Sequence, residues 1–232
     1  AVEEASADRL RIDPALVRGS GADRAVSLVG GLVTDFALDD AGLQVPRADL
    51  LALDPLFPWL CSAGRDALVD AGFDVPLDGV KAGAVVGNLS FPTEAMTLFG
   101  ERCALDDMLG RAARRSLGAP WATLDPSSVG DARDRFMSGL PAHLLAQALR
   151  LDQGAFCLDA ACASSLYALR LAASALVERK ADVMLAGAVN RADCLFLHVG
   201  FSALQAMSPT GQTRPFDRRS DWLVPAEGCA MV

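Results

Sequence analysis

The chain is 232 residues long, 52% hydrophobic and only 6% aromatic, with 21 basic against 29 acidic residues and a formal charge of −8. The apolar fraction excludes a disordered chain, and at about 150 residues per domain the length allows one large domain or two small ones. A pI near 4.7 with scattered basic residues argues against nucleic acid or an anionic membrane as partner. No apolar run approaches the roughly 20 residues that span a bilayer, and no basic segment followed by an apolar one opens the chain. A soluble, cytoplasmic protein is the expectation.

Residues 1–24 are polar, Ala-rich and charged, and Gly19-Ser20-Gly21 marks a flexible entry, so a leader or linker is expected there. Residues 25–33 (AVSLVGGLV) read as a short strand whose unbroken apolar character suits a sheet covered on both faces. Residues 55–73 carry helical periodicity, with Leu60, Ala63, Ala67 and Leu68 on one stripe and Ala71-Gly72 as the stop. A strand at 82–88 (AGAVVGN) runs into Leu89-Ser90-Phe91-Pro92-Thr93. That loop lies just past a strand's carboxyl end, where open α/β sheets bind ligands, and is a candidate site wall. A helix is expected over 94–118, a turn-rich connection over 119–130, and a further helix from about 131 to 149 with Phe136, Leu140, Leu144, Leu145 and Ala148 on its apolar face.

Residues 155–159 (AFCLD) form a short strand, Ala160 and Ala161 a tight turn, and from Cys162 onward Leu166, Leu169, Ala173, Leu176 and Val177 repeat at helical spacing. An apolar strand at 181–190 completes a β-α-β unit, which implies a parallel neighbour. Residues 192–207 read as loop and helix, 208–211 as a turn and 213–219 as a polar connection into 223–232. The last six residues end on an apolar run, an odd place for a natural terminus.

The six cysteines, Cys61, Cys103, Cys157, Cys162, Cys194 and Cys229, contain no C-x-x-C pair, so neither a metal site nor a disulfide framework is expected. Cys162 differs from the others. A thiol in the first turn of a helix faces unpaired backbone N–H groups and the positive end of the helix dipole, which favour thiolate. Its neighbours Ala160, Ala161, Ala163, Ser164 and Ser165 leave room for an acyl group, as in a nucleophile elbow. The Cys162 N–H is itself a possible oxyanion donor. On spacing alone two readings stand level: a nucleophile, or a small apolar residue between helix and sheet. The other five cysteines read as core residues. The two histidines, His143 and His198, have apolar flanks and read as packing or capping residues.

The octapeptide Asp159-Ala-Ala-Cys-Ala-Ser-Ser-Leu166 resembles the active-site signature of β-ketoacyl synthases, the condensing enzymes of fatty-acid and polyketide assembly. Further motifs follow in order. Residues 181–190 (ADVMLAGAVN) resemble the strand after the family's nucleophile helix, 203–211 (ALQAMSPTG) its next turn, and Arg214-Pro-Phe-Asp217 with 224–228 (VPAEG) the close of its first half. Residues 87–93 and 135–141 look closest to ketosynthases of iterative polyketide and polyunsaturated-fatty-acid synthases. Two departures stand out: Trp222 and Ala226 occupy positions where the family usually has glycine.

The resemblance covers about residues 25–232 and implies the N-terminal half of a thiolase-like α/β fold, a mixed sheet with helices on both faces and a βαβ unit around the nucleophile. It implies that Cys162 accepts an acyl group from the phosphopantetheine of an acyl carrier protein, with no cofactor bound directly, and that decarboxylative condensation with a malonyl-type thioester follows. Phe201 is implied near the acyl pocket, with a core residue as the equal alternative, and Phe136 and Met137 are further implied lining residues. Implied partners are the acyl carrier protein, a second copy paired along the strand at 155–159, and a C-terminal half supplying the family's histidines, lysine and Gly-rich loop. Without that half the chain is expected to accept an acyl group but not to condense. Two other readings remain open: a non-catalytic ketosynthase-like fragment or partner, and a thiol hydrolase of the α/β-hydrolase type.

Overall fold

The computed structural model describes residues 2–10, 12–90, 94–117, 131–192 and 195–232. In chain order the elements are β1 (Val2–Glu4), α1 (Ala7–Leu10), α2 (Pro14–Val17), β2 (Val29–Gly31), α3 (Arg47–Leu51), α4 (Leu56–Asp70), β3 (Ala82–Gly87) and α5 (Glu94–Leu117). A 3-10 turn (Ala132–Arg135) leads to α6 (Leu140–Leu149), β4 (Ala155–Leu158), α7 (Ser164–Val177), β5 (Val183–Asn190), α8 (Leu195–Ala203) and β6 (Gly228–Met231). Phe91, Pro92 and Thr93 of the expected site wall, the connection 119–130 and Cys194 lie outside the described residues. No described helix is long and apolar enough to cross a membrane.

The main sheet has the order β4-β3-β5-β6, with β3 parallel to both β4 and β5, and β6 antiparallel to β5. All six residues of β3 are buried, the pattern of an interior strand covered on both faces. Because side chains alternate along a strand, Ala84 and Val86 face the core built by α4 and α6, whereas Val85 faces α7. The first face is filled by large residues, among them Phe57, Leu60, Leu68, Leu145 and Leu149. The second is thin: Val85 and Ala186 meet only Ala168 and Ala172 of α7. This is the expected mixed sheet with helices on both faces.

Three expectations change. The helix expected over 131–149 is two pieces, because Gly139 takes an extended φ of −144° and Pro141 fits only the first turn of a new helix. Residues 1–24, expected as a leader or linker, are folded where described. β1 pairs antiparallel with β2, and Ala5, Leu10 and Val17 share a small core with Ala25, Leu28 and Leu32. Helices of four residues are too short to leave a periodic signature, which hid this segment. The third concerns α7: its sheet-facing stripe is Ser164, Ala168 and Ala172, whereas Leu166, Leu169, Leu176 and Val177, which carry the helical spacing, are exposed. Small residues let the helix approach the strands, and its large residues point outward.

A buried charge cluster ties the N-terminal unit to the sheet. The Glu227 carboxylate, wholly inaccessible, accepts from Arg9 Nη1 and Arg191 Nη1 at 3.1 Å each and from the Val33 N–H at 2.9 Å. Arg191 also lies 3.3 Å from Asp54 Oδ1, and its guanidinium stacks 5.1 Å from the Trp59 ring centroid. Asp54 Oδ1 in turn accepts the Leu56 N–H that opens α4. Paired in this way, four charges tolerate burial; any one alone would not. The departure at Ala226 is accommodated here, since the space a glycine would leave at 226 is left at Gly31 instead: a side chain at Gly31 would stand 3.1 Å from Ala226 Cβ.

His198 of α8 is fully buried, with Nδ1 3.3 Å from Ser27 O. Burial pushes its imidazole below the ordinary value, against the opposing pull of the Ser27 and Ala192 backbone. The unfolded chain therefore binds this proton more readily, so the stability contribution is complete above about pH 6.5 and declines as pH falls toward the folded value. The thermal midpoint is expected to drop between about pH 7.5 and about 5.5. His198→Leu should flatten that slope in circular-dichroism melts; an unchanged slope would contradict the assignment.

Candidate active site

β3, β4 and β5 run parallel, so their carboxyl ends share one edge of the sheet, the edge where α/β folds place chemistry. β3 ends at Gly87, beside Leu158 of β4, and the next N–H, that of Asn88, donates to Leu158 O at 3.0 Å. β4 then leaves the sheet through Asp159-Ala160-Ala161-Cys162 and enters α7 at Ser164. The turn is tight because Ala161 adopts φ 51°, a left-handed conformation that costs an alanine roughly 1 kcal/mol. Strand, strained residue, thiol and helix follow one another as in a nucleophile elbow.

Asp159 Oδ1 accepts the Ala161 N–H at 2.9 Å, and Ser164 Oγ joins the Ala160 N–H to the Ala161 carbonyl. Gly87 lies against Ser164: a Cβ built there would fall 2.9 Å from both the Ser164 carbonyl carbon and its Cβ. Cys162 is exposed, two residues ahead of the first full turn of a 14-residue helix. Cys61 and Cys229 are different: burial pushes both thiols up to about 12, with Cys61 adding to the effect at Cys229. Burial also raises Cys157. All three suit core packing rather than nucleophilic attack. Cys103, expected in the core, is instead exposed on α5, which lies at the surface.

The residues implied for an acyl pocket separate. Met137 is buried in the main core, and its carbonyl accepts from Asn88 Nδ2 at 2.6 Å and Ser90 Oγ at 3.5 Å, which ties it to the end of β3. Phe136 beside it is 61% exposed. Phe201 is half-buried on α8 against Ala192 and Leu197, next to the end of β5. His143 is exposed on α6, across the sheet from α7, rather than packed, and His198 is sealed in the interior.

The family model described as the N-terminal domain of β-ketoacyl synthase matches residues 1–232. The chain belongs to the β-ketoacyl synthase family. It is 36% identical over 183 residues to one subunit of a polyunsaturated fatty acid synthase of Thraustochytrium, an alignment covering 75% of the chain and 8% of that protein. It is 29% identical over 215 residues to one subunit of the phenolphthiocerol/phthiocerol polyketide synthase of Mycobacterium tuberculosis, covering 92% and 10%. Among solved ketosynthase structures, the PfaC keto synthase–chain length factor superposes with a TM-score of 0.82 at 34% identity, over 99% of this chain and 25% of that one. The chain thus spans a tenth or less of these curated relatives and a quarter of that structure. Within this thiolase-like fold, the departure at Trp222 falls on a backbone φ of 92°, a conformation that favours glycine.

Gly87→Ala is expected to lower stability by about 1–3 kcal/mol through overpacking. It should also slow alkylation of Cys162 by iodoacetamide, followed by peptide mass spectrometry. Equal rates and stability in variant and wild type would show that the turn does not depend on contact with β3.

Proposed function

We propose that this domain performs the acyl-accepting step of a β-ketoacyl synthase, with Cys162 as nucleophile. The observation that carries the reading is the placement of Cys162 on a left-handed turn between β4 and α7, in a chain that belongs to the family. In this reading Cys162 Sγ attacks the carbonyl carbon of an acyl thioester on the phosphopantetheine arm of an acyl carrier protein. A new C–S bond forms, the carrier's C–S bond breaks, and the released carrier thiol takes up the proton that Cys162 gives up. The Cys162 N–H is the donor proposed to stabilise the oxyanion.

Condensation follows when a malonyl-type thioester loses carbon dioxide and its carbanion attacks the acyl carbon, returning Cys162 as leaving group. His198 is buried and His143 lies across the sheet, so we assign this step to groups from a second ketosynthase half. The outward row of Leu166, Leu169, Leu176 and Val177 on α7 supports such a cover. β4, an edge strand with Phe156 exposed, is the surface proposed for pairing with a second ketosynthase copy. Of Phe201, Phe136 and Met137, Phe201 beside the end of β5 and the exposed Phe136 are proposed to meet the acyl chain, and the buried Met137 to back the end of β3. A cytoplasmic location completes the reading.

Exposure of the full-length protein to an acyl thioester should add one acyl mass to the wild type and none to Cys162→Ala, read by intact-mass spectrometry. No adduct, or an adduct kept by the variant, would contradict the proposal. Steady thioester turnover without an adduct would favour the hydrolase.

A further inference from the structure

Ser164 is 3% exposed and opens α7, yet it does not cap that helix: the capping position is Ala163, with no side-chain bond. Its hydroxyl points back into the turn instead. Oγ accepts the Ala160 N–H at 2.9 Å and donates to the Ala161 carbonyl at 2.7 Å, and the same carbonyl accepts the Ser164 N–H at 3.1 Å. These two groups bracket Ala161, the residue held at φ 51°.

The Ala161 carbonyl and the Cys162 N–H belong to one planar peptide group, so fixing the oxygen fixes the N–H on its opposite side and the direction in which Cys162 leaves the turn. Asp159 holds the preceding peptide through the Ala161 N–H. Gly87 supplies the backing, because a side chain there would stand 2.9 Å from Ser164 Cβ and force Ser164 to move. No other described side chain bonds to the Ala161 carbonyl.

We infer that Ser164 is the positioning residue for Cys162: its hydroxyl holds the 161–162 peptide in the orientation that presents the thiol to an incoming thioester. The inference rests on the acyl-accepting role of Cys162 proposed above. Ser164 touches no reacting atom and acts through the turn. A hydroxyl that merely contributed stability would change the fraction folded and leave the rate of the folded protein alone.

The test uses the full-length protein, an acyl N-acetylcysteamine thioester and, separately, iodoacetamide, at a temperature where melts show every variant folded. Ser164→Ala is expected to reduce kcat for acyl loading at least tenfold with KM changed less than twofold, and to slow Cys162 alkylation to a similar degree. Ser164→Thr, which keeps the hydroxyl, should stay within about threefold of wild type. Ser174→Ala removes a hydroxyl bonded to Arg170 O within the same helix, far from the turn, and should change neither rate. Wild-type rates in Ser164→Ala, or equal losses in the Ala and Thr variants, would overturn the inference. If the wild type takes up no acyl group, the functional reading fails and alkylation alone decides: a tenfold slowing confined to Ser164→Ala upholds the positioning role, and unchanged alkylation overturns it.

Discussion

The contact between Gly87 and Ser164 is the constraint from which the site follows. It brings the first residue of α7 against the end of the central strand, closer than any residue with a side chain at position 87 would permit. With α7 that near, the chain has only five residues between the end of β4 and the helix, and it closes the gap by placing Ala161 in the left-handed region. The thiol is then carried on the outside of a sharp turn, at the sheet edge shared by three parallel strands. Strain of roughly 1 kcal/mol at one alanine is small beside the several bonds that hold the turn, which is how a sparsely populated conformation persists at a functional site.

The same close approach explains the asymmetry of the two faces. Toward α4 and α6 the sheet is covered by leucines and Phe57. Toward the sheet α7 presents only Ser164, Ala168 and Ala172 as buried residues, and its large residues are turned outward, where a further layer would bury them. The Glu227 cluster serves the other end of the architecture. It joins α1, the start of α4, the loop after β5 and the approach to β6, so the segments flanking the site edge are fastened through paired charges as well as through apolar packing.

Much of this was legible in the sequence. The unbroken apolar run of β3, the β-α-β order around Cys162 and the helical stripe of α4 have strong periodic signatures, and the motif from Asp159 to Leu166 pointed to the family. The features without a sequence signature depend on tertiary contact. Three- and four-residue elements in the first 24 residues are too short for a period, and they form because Ala25, Leu28 and Leu32 wait to cover them. The large apolar residues of α7 carry the helical spacing in the sequence, but only the distance between helix and sheet assigns the sheet-facing role to Ser164, Ala168 and Ala172. Ser164 was visible as one small residue among several. Its part in the turn depends on two bonds made in opposite directions, which no spacing pattern encodes.

The most direct test of this account is a crystal structure of the full-length protein carrying an acyl group. The account predicts a thioester on Cys162 Sγ, Ala161 at positive φ, and the Ser164 hydroxyl still bridging the Ala160 N–H and the Ala161 carbonyl. An acyl group on Cys103 or another cysteine, or Cys162 acylated from a turn in which Ala161 has relaxed to negative φ, would contradict it.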